Sequence, residues 1–157
     1  MKKQDFIKQY LPLAQKAGVQ FGMNPVIILA QSAIETGWGE STLCKEHNNF
    51  FGITAYGHPN PFWKGDRTDL SAVTGRPTLW FRRYASPEDS FLDFARLVRN
   101  SYRTAWSKSD NPAAYAHEIA YSRYINELNG DDRETYRRSL IQIERTVQAV
   151  IQLTRDN

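Results

Sequence analysis

"AQSAIETGWGES", residues 30–41, closes the most apolar run of the chain on a carboxylate. Of the eleven positions 24–34, seven are aliphatic: Val26, Ile27, Ile28, Leu29, Ala30, Ala33 and Ile34. A helix with one face in water carries a polar stripe, so this run predicts a helix buried on nearly all sides. Glu35 at its end is then out of place, because a carboxylate goes inside only when it is paired or used. Gln31 lies one turn earlier on the same face. The two form the polar edge of an otherwise apolar helix.

Composition narrows what that edge can do. A chain of 157 residues, 41% hydrophobic and 24% charged, is too apolar for disorder and long enough for one domain over residues 1–157 with a sizeable core. Aromatics reach 13%, which suits a cleft for flat-faced ligands such as sugars or bases. The net charge of +3 and a pI near 9.0 fit a polyanionic partner, nucleic acid or a cell-wall polymer. No nucleic-acid motif accompanies the charge, so no nucleic-acid partner is expected. Cys44 is the single cysteine, which rules out an intrachain disulfide and a thiolate cluster. His47, His58 and His117 lack metal-ligand spacing, and neither a metal nor an organic cofactor is expected.

The N-terminal residues "MKKQDFIKQYLPLAQKAG" are too broken by polar groups for a signal peptide, and no segment can span a membrane. Phe6, Tyr10, Leu13, Ala14 and Ala17 recur at helical spacing and predict an amphipathic first helix. Asn24-Pro25 caps the second, which ends at Gly37 or Gly39. Ser86-Pro87 and Asn111-Pro112 open two more. Asp131 with Glu134 resembles a capping box for the last, whose seam is Tyr136, Leu140, Ile143, Val147 and Val150. From about 50 to 84 helical periodicity gives way to Gly, Pro and the strand-like "TLWFRRY". The expected fold is α+β and mostly helical, with a small β-lobe inserted between helices and a cleft where it meets the buried helix.

In that cleft, apolar neighbours would disfavour the charged form of Glu35 and raise its pKa. A carboxyl that keeps its proton near neutral pH can donate it to a leaving oxygen, as the general acid of a glycosidase does. The plainer alternative is a helix-end Glu paired with an Arg or capping a backbone N–H.

Four segments in order, carrying five motifs, decide between them. "LAQSAIETGWGES", "NNFFGI", "WKGDRTD" and "FRRYASPEDSFLDFARLV" closely resemble the flagellar-type glucosaminidases, the peptidoglycan-cleaving family 73 of glycoside hydrolases. That resemblance runs through nearly the whole chain and implies a lysozyme-like fold. It makes Glu35 the catalytic acid. It places Trp38 at the cleft wall or, equally, as a seal beneath the helix end. Asn49 either bonds an acetamido group or forms a turn. Phe51 belongs to the "NNLFGI" segment, and Trp63 is a lobe aromatic on which a sugar could rest. Gln31 joins them as a substrate contact.

The second carboxylate departs from the family pattern. Where the family has T-x-E, this chain has "RTD", which makes Asp69 the counterpart and Asp66 its rival. The substrate's own acetamido group could also supply the nucleophile. The family's "YATDPxY" stretch is replaced by a longer loop; Tyr121 aligns with its first Tyr, and Tyr124 competes. The reading is a monomeric hydrolase of the β-1,4 bond between N-acetylglucosamine and N-acetylmuramic acid in peptidoglycan glycan strands, acting at the cell wall. A muramidase, a lytic transglycosylase and a non-catalytic wall-binding module are the alternatives. Without a signal peptide, a phage-lysin, flagellar or effector export route is expected, or a segment cut from a longer chain.

Overall fold

The computed structural model describes residues 1–70, 79–125 and 132–156. Its elements run α1 (Lys3–Phe21), α2 (Pro25–Thr36), α3 (Thr42–His47), β1 (Arg67–Asp69), β2 (Trp80–Arg82), α4 (Pro87–Ser101), α5 (Arg103–Ser107), α6 (Pro112–Ala120) and α7 (Arg133–Asp156). Three of the helices start where the sequence predicts, for the same reason. Asn24 Oδ1 accepts from Val26 N at 3.0 Å, Ser86 Oγ from Asp89 N at 3.2 Å and Asn111 Oδ1 from Ala114 N at 3.2 Å. Each cap is followed by a Pro, which has no N–H to leave unpaired. At α7 the cap is Asp132, whose Oδ1 accepts from Glu134 N at 2.9 Å; Asp131, the expected cap, lies outside the described residues. The short helices α3 and α5 span six and five residues, too few to show a period in sequence.

Helix α2 lies between α1 and α7, while α6 covers α7 and α4 covers α1. Ile27, Ile28, Leu29 and Ala30 are fully buried as a result. Each large aliphatic among them contributes about 1.5–3 kcal/mol by leaving water. Helix α7 lays Leu140 and Val147 into the same core, with Tyr136 half-buried at its start.

The β-lobe is small. Strands β1 and β2 pair antiparallel, with Arg67 opposite Arg82, Thr68 opposite Phe81 and Asp69 opposite Trp80. Thr54 adds one bridge to Phe81. Two strands of three residues have little stability of their own, so the lobe is held from below. The anchor is Asp93 on α4, with no exposed surface. It accepts from Arg82 Nη1 at 2.7 Å, the Tyr84 hydroxyl at 2.5 Å, Arg96 Nε at 3.0 Å and Asn60 Nδ2 at 3.0 Å. Arg82 in turn donates to the carbonyls of Thr54 and Tyr56 and stacks over Trp63 at 4.1 Å. Burial, then the Asp93 charge, pushes the Tyr84 phenol up, so it remains a donor.

Removing one member of a buried ionic cluster leaves its partners uncompensated. Asp93→Ala is expected to lower the unfolding free energy by about 3–5 kcal/mol in urea melts. A loss below about 1 kcal/mol, the scale of a surface pair, would show that Asp93 does not hold the lobe.

Candidate active site

Helix α2 stops abruptly one residue after Glu35. Gly37, Trp38 and Gly39 take φ values of 57°, 59° and 87° in succession. Glycine adopts that left-handed region freely; for Trp38 it costs about 1–2 kcal/mol. Trp38 is held there by its N–H on the Ala33 carbonyl at 3.0 Å. Its ring meets Phe6 edge-on at 5.7 Å, with Lys3 Nζ 5.3 Å above it. Of the two roles open to Trp38, sealing the base of α1 and α2 is the one its packing serves. The abrupt turn leaves Glu35 on the last turn of α2, facing an open cleft.

That cleft has a volume of about 1060 Å³. The end of α2 gives Ile34 and Glu35, and α3 gives Thr42 and Leu43. The lobe contributes Phe51–Thr54, Leu70 and Phe81, and the far wall is Tyr102, Tyr124 and Tyr136. Glu35 is half-buried. Two opposed influences act on it. Apolar neighbours and the negative end of the α2 dipole disfavour a charge, while a hydrogen-bond donor favours it.

The donor is Tyr136, and its direction is fixed from behind. The fully buried Tyr115 hydroxyl donates to Gln31 Oε1, since an amide oxygen only accepts. Gln31 Nε2 therefore points the other way and donates to the Tyr136 oxygen at 3.2 Å. The one proton of Tyr136 is left for Glu35 Oε1, at 3.2 Å. Burial, then the charge of Glu35, pushes the Tyr136 phenol well above its usual range, so it stays a donor at any working pH. On the other side of the carboxyl, Gly52 has φ 64°, and a Cβ there would lie 3.5 Å from Glu35 Oε2. A bare backbone thus borders the second carboxyl oxygen.

The expected site residues divide into three groups. Glu35, Phe51 and Tyr124 border the cleft together. Phe51 stacks on Phe94 with ring centres 3.9 Å apart, and the Tyr124 hydroxyl points at the Phe51 carbonyl from 3.4 Å. Gln31, Asn49 and Trp63 are buried and spend their polar atoms internally. Gln31, expected to touch substrate, acts behind Tyr136. Asn49 is a turn residue, its Nδ2 on the carbonyls of Ile53 and Arg82 and its Oδ1 on Phe51 N and Ile53 N. Trp63 lies under Arg82 with its Nε1 on the Asp66 carbonyl at 2.7 Å, so its face offers no platform to a sugar.

The third group lies off the cleft or at its edge. Tyr121 is about half exposed and donates to Glu134 Oε2 at 2.7 Å, on the surface. Arg137, then Tyr121, hold the Glu134 carboxyl down at about 2. Asp69 sits at the end of β1, beside Leu70 at the cleft edge; Asp66 is exposed in the preceding turn. The residue that sequence reasoning missed is Tyr136. Its position in the apolar seam of α7 gave it a core role, although it is the one seam member with a hydroxyl.

A carboxyl at a helix end, facing a cleft between a helical body and a small β-lobe, defines the lysozyme-like class of glycoside hydrolase domains. Residues 11–149 match the family described as mannosyl-glycoprotein endo-beta-N-acetylglucosaminidase, and the chain belongs to that glucosaminidase family. Among its relatives, the peptidoglycan hydrolase FlgJ of Vibrio parahaemolyticus is 26% identical over 158 residues, 94% of this chain and 48% of the relative. FlgJ of Pseudomonas aeruginosa is 29% identical over 161 residues, 92% of this chain and 36% of the relative. The chain thus spans half or less of the length of these curated relatives. Of solved structures, the glycoside hydrolase domain of Salmonella typhimurium FlgJ superposes with a TM-score of 0.74 at 25% identity, covering 98% of this chain and 93% of that one. A peptidoglycan hydrolase from Sphingomonas sp. A1 gives 0.71 at 27%, covering 96% and 94%.

The geometry ranks the tyrosines. Tyr136→Phe removes the donor to Glu35 and is expected to lower glycan hydrolysis about 10–100-fold, the equivalent of one charge-assisted hydrogen bond. Tyr121→Phe should stay within about two-fold, since surface changes away from a site are close to neutral. Kinetics of both folded variants on one soluble glycan decide the order, and a larger loss at Tyr121 would reverse it.

Proposed function

We propose that this chain is a peptidoglycan hydrolase that cuts the β-1,4 bond between N-acetylglucosamine and N-acetylmuramic acid, with Glu35 as general acid. The observation that carries the reading is the carboxyl of Glu35 at the cleft, with one oxygen fixed by Tyr136. Family membership and relatives named as peptidoglycan hydrolases support the choice of substrate. The mildly basic chain suits an anionic wall, where it is proposed to act as a monomer.

The roles follow from the hydrogen bonds. Because Oε1 accepts from Tyr136, the acid proton resides on Oε2, the oxygen bordered by Gly52. A glycosidic oxygen seated over Gly52 receives that proton as the C–O bond breaks, and the electron pair of the bond leaves with the departing sugar. Positive charge then develops on the ring that remains. Tyr136 meanwhile stabilises the new Glu35 carboxylate. Water completes the hydrolysis and returns a proton to Glu35. Asp69, at the rim, is the proposed second carboxylate, activating that water or balancing the ring charge; an acetamido group of the substrate can do the same work. Tyr124 and Phe51 shape the floor on which the sugar lies.

Glu35→Gln keeps the shape of the side chain and removes the acid. It is expected to lower hydrolysis of purified wall by about 10²–10⁴-fold, the contribution of a general acid. Mass spectrometry of the digest should show reducing-end N-acetylglucosamine. Wild-type activity within a few-fold in the folded mutant removes Glu35 from its role, and reducing-end muramic acid or an anhydro sugar moves the cut to the other bond. Asp69→Asn should cost less than Glu35→Gln in the same assay. An equal loss would make Asp69 as essential as the acid and exclude substrate assistance.

A further inference from the structure

Past the cleft wall at Leu97 and Tyr102 lies a second hollow of about 540 Å³. Ile53, Thr54, Tyr56, Leu97 and Tyr102 border both spaces, so the two adjoin. Their chemistry differs. The first is marked by Glu35; the second is bordered by Arg82, Arg96 and His58, and by no Asp or Glu among the described residues.

Among the described residues, the only carboxylate in contact with these two guanidinium groups is Asp93, which is buried beneath them. Two positive charges against one negative leave a surplus of one. Arg82 has no nitrogen without a partner, with Nε on the Thr54 carbonyl, Nη1 on Asp93 and Nη2 on the Tyr56 carbonyl. Arg96 does. Its Nε and Nη2 meet Asp93 Oδ1 at 3.0 and 2.9 Å, Nη1 makes no hydrogen bond with any described residue, and the side chain is 21% exposed. The buried Asp93 thus orients a guanidinium whose remaining edge borders a concave, partly desolvated space. Such an edge favours an anion with paired oxygens.

We infer that this hollow is a subsite for a carboxylate carried by the glycan strand, received by Arg96 while the strand lies across Glu35. The inference rests on the glycan-cleaving reading above and deepens it. Peptidoglycan differs from an uncharged β-1,4 N-acetylglucosamine polymer in its carboxylates, carried on stem peptides or, where the peptide is removed, on the lactyl group. A site for that charge would let the protein select wall glycan over neutral polymer.

Binding in the Glu35→Gln background tests this without turnover. Three soluble ligands are compared by calorimetry: a peptide-bearing wall fragment, a peptide-free wall fragment with free lactyl carboxylates, and an uncharged N-acetylglucosamine oligomer. The readout is the affinity for each charged ligand divided by that for the uncharged one. Adding Arg96→Gln is expected to lower that ratio about 5–50-fold for at least one charged ligand, the worth of a charge-assisted hydrogen bond. The ligand affected identifies the carboxylate. A ratio unchanged within about two-fold for both, relative to that 5–50-fold expectation, overturns the subsite, as does a parallel loss on all three. Should Arg96→Gln fail to fold, the salt dependence of the parent decides: its ratio should fall between about 20 and 300 mM NaCl as the charges are screened, and a flat ratio overturns the proposal. Wall hydrolysis by wild type is measured first. Its absence defeats the functional reading, whereas hydrolysis with an unchanged ratio defeats the subsite alone.

Discussion

The hydrogen bond from Tyr136 to Glu35 joins the two helices that matter most to this molecule. Glu35 ends α2, the helix around which the core is built, and Tyr136 sits in the first turn of α7, the last to be laid against it. The bond forms only if α7 docks in register on α2, and that register is set by Leu140 and Val147 in the core. Behind it, Gln31 and Tyr115 use buried polar atoms that would otherwise be costly to leave unpaired. Each is satisfied by the next, so the network has one direction, and it ends on the carboxyl. An acid positioned this way has one oxygen fixed by the network.

Much of the scaffold was legible in the sequence because it depends on local chemistry. The Asn24-Pro25, Ser86-Pro87 and Asn111-Pro112 pairs cap helices wherever they occur, and the aliphatic run from Val26 to Ile34 can only be buried. The position of Glu35 followed from the same run. What was not legible depends on contacts between distant segments. Tyr136 lies 101 residues from Glu35, and in sequence its ring reads as one more member of an apolar seam. Tyr121 has the better local alignment, yet the turn after α6 carries it to the surface, onto Glu134. Trp63 and Asn49 looked suited to sugar recognition; in the structure their polar atoms hold the lobe together.

The lobe shows the same division between holding and acting. Its two short strands depend on Asp93, which lies on α4 outside the lobe and binds Arg82, Tyr84, Asn60 and Arg96 at once. That cluster fixes the lobe side of the cleft relative to α2 and therefore the width available to a glycan. It also leaves one guanidinium edge exposed beside the cleft. The same buried carboxylate thus ties the lobe down and sets the charge of the second hollow.

The claim on which the rest depends is that Glu35 gives a proton to the leaving oxygen. Leaving-group dependence isolates that step, because a departing group that is already a stable anion needs no proton. The measurement is kcat/KM of wild type and Glu35→Gln on two soluble substrates, a wall glycan and the matching dinitrophenyl glycoside. The account predicts a mutant deficit of about 10²–10⁴-fold on the glycan that shrinks to less than about 10-fold on the dinitrophenyl compound. An equal deficit on both substrates would contradict it, since Glu35 would then act on something other than the leaving oxygen.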